Sequence, residues 1–335
     1  MVKQLLILVT LFAVLCSCEH KDLCLLHSHT AKMRIDVDWS GFIHKETPTG
    51  MTVMLFPQNG EAPITQLSNT VTHTYVHLSQ GYYNSIVFNQ SVTEFGSLQF
   101  HNMDNCKSAL VMGETAASKW YTKGEERVIV EPEWFGADRI EMAEVTEEMI
   151  QQMAQLYTLQ QRSTPEYIIA THHPVNVIYT ANIKINIEGI HNLKSARGAL
   201  LGMAEGYRLW ADKPLETKAT HLVEQWEMQK DPNDITKGNI TATIQTFGLP
   251  AGHTAQEMDN TLKLSLLLAD NKTQLDYNIK VGDKWTITPH DFMTINLNLT
   301  LPSPLPDVKP EGGTSGGFDA SVEDWGDEIE HNIMM

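Results

Sequence analysis

Apolar and polar residues alternate one by one in short runs along most of this chain, and that period sets the fold class. Met33, Ile35, Val37 and Trp39 alternate with Arg34, Asp36 and Asp38. Successive side chains of a strand point to opposite faces, so the pattern reads as a strand buried on one side. Met51 to Phe56 reads as a second strand, stopped by Pro57 and the turn-like Gln58-Asn59-Gly60. Val71 to Leu78 alternates again, and Gln80-Gly81 leads into Tyr82 to Phe88. Short strands separated by turn residues predict an antiparallel Greek-key sandwich.

The pattern resumes after Pro174, where Ile183, Ile185 and Ile187 alternate with Lys184, Asn186 and Glu188 before Gly189 turns the chain. Further strands are predicted at 220–227, 239–247, 261–269, 274–281 and 294–301. Two passages break the period. Met149, Ile150, Met153, Leu156, Tyr157 and Gln160 recur at helical spacing behind an acidic start, so Glu147–Gln161 is predicted as a helix that Pro165 stops. Ser195 to Ala204, rich in Ala, Gly, Leu and Met, reads as a short helical insertion. A chain of 335 residues has room for about two domains. The expectation is an all-β protein with one or two short helices, a β-sandwich over 31–165 and a second over 172–301.

Pro302 to Gly317 holds four Pro and four Gly, which predicts an extended, mobile linker reaching ~50 Å. Beyond it Phe318, Ala320 and Val322 alternate with Asp319, Ser321 and Glu323, and Trp325 follows. Residues 302–335 therefore read as a linker and an acidic strand or tail. Phe318, Ala320, Val322 and Trp325 are its candidate docking residues.

The first residues address the chain to export. Lys3 supplies a cation ahead of the apolar run Leu5 to Leu15, which is too short for the ~20 residues of a membrane span. Leu15-Cys16-Ser17-Cys18 then fits a bacterial lipobox. Residues 1–17 are read as a signal peptide and Cys18 as the lipid-attachment site, because a thiol is the nucleophile that position needs. Two or three acyl chains would hold the tether 18–30 on a membrane durably, where one would bind only marginally. Glu19-His20-Lys21-Asp22 is compatible with export to the outer membrane and the cell surface.

Other chemistry finds little support. With Lys+Arg 24 against Asp+Glu 41, the net charge of −17 excludes a nucleic-acid partner. At 42% hydrophobic and 19% charged residues the chain is not globally disordered. His27-Ser28-His29 and His172-His173 are the tightest groupings among 14 His, but no further ligands stand at metal-site spacing, so no metal is assigned. No nucleophile elbow, phosphate loop or dinucleotide fingerprint is present. Glu125-Glu126, Glu147-Glu148 and Asp36/Asp38 read as solvated faces and helix starts rather than a glycosidase dyad. The chain reads as non-enzymatic and without a cofactor. Cys24 and Cys106 leave a disulfide open, and the sequons at Asn89, Asn239, Asn271 and Asn298 read as incidental in a bacterial chain. The scattered Trp residues read as core, with sugar stacking as the alternative.

Several segments together resemble a known family. Cys18-Glu19-His20-Lys21-Asp22-Leu23-Cys24, Asp36-Val37-Asp38-Trp39, Leu55-Phe56-Pro57, Gly81-Tyr82-Tyr83, Ser195 to Ala204 and Gly316-Gly317-Phe318 are similar to Bacteroides-type lipoproteins of the fimbrillin and FimB-type fimbrial-anchor superfamily. The resemblance implies two tandem transthyretin-like sandwiches and a role as pilus subunit, tip or membrane anchor. Its implied partners are the membrane, through N-terminal acyl chains, and fimbrial subunits that pair through strands. It also implies that pilin precursors are cut at a basic residue of the first strand, where Lys32 and Arg34 stand here. The alternative function is a surface glycan-binding lipoprotein with exposed Trp as its platform.

Overall fold

The alternation around Met33 becomes strand β1 (Thr30–Val37), with Ala31, Met33, Ile35 and Val37 buried and the residues between them half-buried. The computed structural model describes residues 29–42, 47–121, 124, 126–158, 166–252, 260–287 and 294–311. Strand follows strand through β2 (Met51–Pro57), β3 (Ile64–Ser68), β4 (His73–Ser79) and β5 (Gly81–Asn89). Shorter strands come next, β6 (Leu98–His101), β7 (Leu110–Gly113) and β8 (Arg127–Ile129), and then the long β9 (Gly136–Val145). Helix α1 (Glu147–Thr158) starts where its acidic first turn predicted, with Thr146 Oγ1 accepting the N–H of Met149 at 3.2 Å. Its Ile150 and Met153 pack on the core beneath β1.

After the helix come β10 (Ile168–His172), β11 (Val175–Asn176), β12 (Tyr179–Glu188), β13 (Leu193–Ala204), β14 (Gly206–Arg208) and β15 (Lys213–Pro214). They are followed by β16 (Lys218–Val223), β17 (Glu227–Lys230) and β18 (Lys237–Thr246). The last strands are β19 (Thr261–Leu268), β20 (Gln274–Lys280), β21 (Trp285–Ile287) and β22 (Thr294–Thr300).

The strands form an all-β sandwich architecture. Sheet β10-β1-β4 faces sheet β11-β9-β5-β2-β3, and Met33, Ile35, Val53, Leu55 and Val87 fill the space between them. Sheet β17-β18-β12-β22-β21 faces sheet β20-β19-β13-β16-β8 over Ile183, Ile185, Leu200, Leu264 and Leu297. A small sheet, β15-β14-β7-β6, joins the halves, with Val111 opposite Tyr207. Beneath it a third cluster runs through Phe88, Phe135, Val111, Tyr207 and Phe247. Gly206 is required there, since a Cβ would meet Val111 O at 2.3 Å.

The halves also exchange strands. β8 adds in parallel to β16, pairing Arg127 with Ala219 and Ile129 with His221. The stretch expected as a break between 165 and 172 carries β10, which runs parallel to β1.

Two expectations are corrected. Ser195 to Ala204 is not a helical insertion but most of β13, a strand paired on both sides with β16 and β19. Burial on both faces removes the polar half of the alternation, so the run looked uniformly apolar. Residues 302–311 are not a free linker. Leu301 N–H and Leu305 N–H donate to Asn186 O and Glu188 O, and Leu305 is buried in the core of the second sandwich. Val308 packs on the same core, and Glu311 N–H reaches Ala269 O at 3.2 Å. The proline-rich segment is an extended strap lying across the end of the sandwich.

Candidate functional site

Cys18 and the docking residues Phe318, Ala320, Val322 and Trp325 lie outside the described residues, as do Cys24 and His27. What is described is the strand that the tether leads into. Thr30, the first residue of β1, stands twelve residues after Cys18. β1 is the central strand of its sheet, antiparallel to β4 from Thr30–Ser79 to Asp36–His73 and parallel to β10 from Arg34–Ile168 to Val37–His172. Met33 and Ile35 are completely buried. A strand in this position is held by ladders on both flanks and by its own apolar face.

The two basic residues of β1 are tied down as well. Arg34 Nε donates to Asp36 Oδ1 at 2.6 Å, and its NH1 pairs with Glu166, which also accepts the Tyr75 hydroxyl. Those hydrogen bonds raise the Arg34 pKa, Asp36 being the larger cause. The Tyr75 and Arg34 donors hold the Glu166 carboxyl below its ordinary range. Lys32 Nζ lies 3.9 Å from the centre of the Tyr75 ring.

At the far end of β1, His172 joins the two sheets. Asp38 N–H donates to His172 O at 2.8 Å. The His172 ring has Ser85 Oγ at 2.9 Å from Nε2 and Asp138 Oδ2 at 3.0 Å from Nδ1. Burial would push the Asp138 carboxyl up, but the bonds from His172 and from the His173 N–H outweigh it and leave it lowered. Serine, histidine and aspartate are thus arrayed as in a nucleophilic triad. Yet Ser85 and His172 have no exposed surface, so the hydroxyl is presented to the sandwich interior and not to a substrate. The chemistry this arrangement performs is cross-linking of sheets. Residue separations of 87 and 34 kept it out of reach of sequence patterns.

A cleft of about 160 Å³ opens beside Asp138, lined also by Arg139, Tyr207 and Asp212. Its charges face one another: Tyr207 donates to Asp212 Oδ1 at 2.9 Å, and Arg139 NH1 lies 3.6 Å from Asp212. His173 is exposed and lies 3.5 Å from Asp38. Among the described residues no three His, Cys, Asp or Glu gather as a metal site. Cys106 is a buried thiol that accepts from Asn84 Nδ2 at 3.4 Å. Trp39, Trp120, Trp134, Trp210 and Trp226 are half-buried and Trp285 is buried.

Comparison with known proteins agrees with this architecture. The family model described as a domain of unknown function (DUF5119) matches residues 17–224. A Bacteroides ovatus crystal structure described as a candidate adhesin superposes with a TM-score of 0.55 at 14% identity, covering 83% of this chain and 94% of its own. The fimbrial anchor protein Mfa2 from Porphyromonas gingivalis gives 0.46 at 10% identity, covering 81% and 90%. A candidate polysaccharide-binding protein from Bacteroides thetaiotaomicron gives 0.44 at 8% identity, covering 81% and 90%. No curated protein matches the chain. At 14% identity the likeness to the Bacteroides ovatus structure shows a shared fold.

Proposed function

The chain belongs to the DUF5119 family, and within it we propose a cell-surface lipoprotein of the fimbrial-anchor or adhesin type. Acyl chains on Cys18 hold it to the outer membrane, and it engages other subunits through sheet edges rather than a catalytic centre. The observation that carries this reading is the position of β1, twelve residues beyond Cys18 and paired on both flanks. A protease must draw its substrate into an extended, unpaired conformation. Cutting at Arg34 would require melting both ladders together with the Asp36 and Glu166 ion pairs, and cutting at Lys32 would require peeling the strand from β4. The tether therefore stays continuous with the folded body, as an anchor requires and a shaft subunit does not.

Radiolabelled palmitate and membrane fractionation test this in the native host. The wild-type chain labels and sediments with outer membranes, whereas Cys18→Ala loses the label and is released. A Cys18→Ala chain that still labels and sediments would refute the assignment.

A further inference from the structure

The strap has a consequence for the segment that follows it. Glu311 N–H is bonded to Ala269 O, and Glu311 Oε1 lies 4.0 Å from Lys272 Nζ. Ala269 and Lys272 belong to the turn between β19 and β20, so Glu311, the last described residue, lies beside the beginning of β20. From there to Phe318 only six residues intervene, among them Gly312, Gly313, Gly316 and Gly317. Six residues reach at most ~20 Å. The seven residues of β20 span ~23 Å. β20 lies within that reach.

β20 is a terminal strand. It pairs with β19 from Leu267–Gln274 to Thr261–Lys280, and among the described residues no strand pairs with its other flank. Its core-side residues Leu275, Tyr277 and Ile279 pack on the second core yet are only half-buried. Their counterparts on β19, Leu262, Leu264 and Leu266, are buried. Among the described residues the sheet thus ends in an unpaired row of backbone donors and acceptors bordered by a partly covered apolar flank. Such an edge is a template for one more strand.

We propose that the segment Phe318–Trp325 of the same chain adds to this edge as a sixth strand. Phe318, Ala320 and Val322 alternate as the flank of Leu275, Tyr277 and Ile279 requires. The opposite face of the segment carries Asp319, Ser321 and Glu323, beside a face of β20 that exposes Asp276, Asn278 and Lys280. Its own polypeptide is the occupant because the strap places the segment there at high effective concentration, whereas a second copy would have to displace it. The added strand covers the edge against uncontrolled pairing. This inference is independent of acylation at Cys18, so either can fail without the other.

Hydrogen exchange on the full chain, read at residues 274–280, tests it. Wild-type amides that point away from β19 are expected to exchange at least about tenfold more slowly than in Phe318→Asp/Val322→Asp. Exchange in β12 and β22 should be the same in both, and the protection should not change on dilution of a monomeric sample. Equal exchange in the two chains would overturn the proposal. Protection that vanishes on dilution together with a dimer would also overturn it, in favour of strand exchange between copies.

Discussion

Ser85 Oγ lies 2.9 Å from His172 Nε2, and the two residues belong to facing sheets of the first sandwich. A hydrogen bond between sheets fixes their separation and register in a way that apolar contacts alone do not. His172→Ala would leave the Ser85 hydroxyl unpartnered inside the sandwich, remove one donor from the half-buried Asp138 and open a cavity. The expected cost is about 2–4 kcal/mol, read as a shift of the urea midpoint. A change within about 0.5 kcal/mol would mean the contact is dispensable.

His221 gives the second sandwich a pH dependence. It is completely buried on β16, and among the described residues neither ring nitrogen has a hydrogen-bond partner. Burial pushes its pKa down to about 4 from the ordinary 6.5. The unfolded chain therefore takes up a proton below 6.5 that the folded chain refuses until about 4. Stability should fall as pH drops through that window, by about 3 kcal/mol in all. His221→Leu should flatten this part of the profile. A wild-type stability that is level between pH 6.5 and 4, after the carboxylate contribution is measured in the variant, contradicts the reading.

Most of the fold was legible in the sequence because most strands bury one face. β1, β12 and β22 follow their alternation almost residue by residue. β13 was not legible: Ala199, Leu200, Met203 and Ala204 are all buried, so composition imitated a helix. The strap was hidden for a different reason. Its prolines set an extended backbone, but whether such a backbone lies free or docked depends on Leu305 and Val308 finding the second core. The Ser85–His172–Asp138 link, and the addition of β8 to β16, join residues far apart in the chain, and no local pattern encodes them.

Gly189 tests the strap. It sits at φ +78°, and a Cβ there would meet Leu305 O at 2.6 Å. Gly189→Ala combines left-handed strain with a clash against backbone, so the expected loss exceeds about 2 kcal/mol. Proteinase K should cut within residues 302–311 of this variant sooner than in wild type. Cleavage there at the wild-type rate would show that the strap does not rest on Gly189.

Arg127 tests the junction of the halves. It pairs with Glu205 at 2.8 Å and donates to Thr115 Oγ1 at 3.0 Å and to Gly113 O. Arg127→Ala should cost about 1–2 kcal/mol. It should also split one calorimetric transition into two as the two sandwiches begin to melt separately. A single unshifted transition would mean that β8 holds to β16 without it.

Under the proposed function, the tether from Cys18 stays continuous with the central strand of the first sheet. Mass spectrometry of the protein extracted from the outer membrane of its native host measures this directly. The expected result is an acylated Cys18 at the amino terminus of a polypeptide that still contains Thr30–Val37. An amino terminus just after Lys32 or Arg34, or an unmodified Cys18, would contradict it.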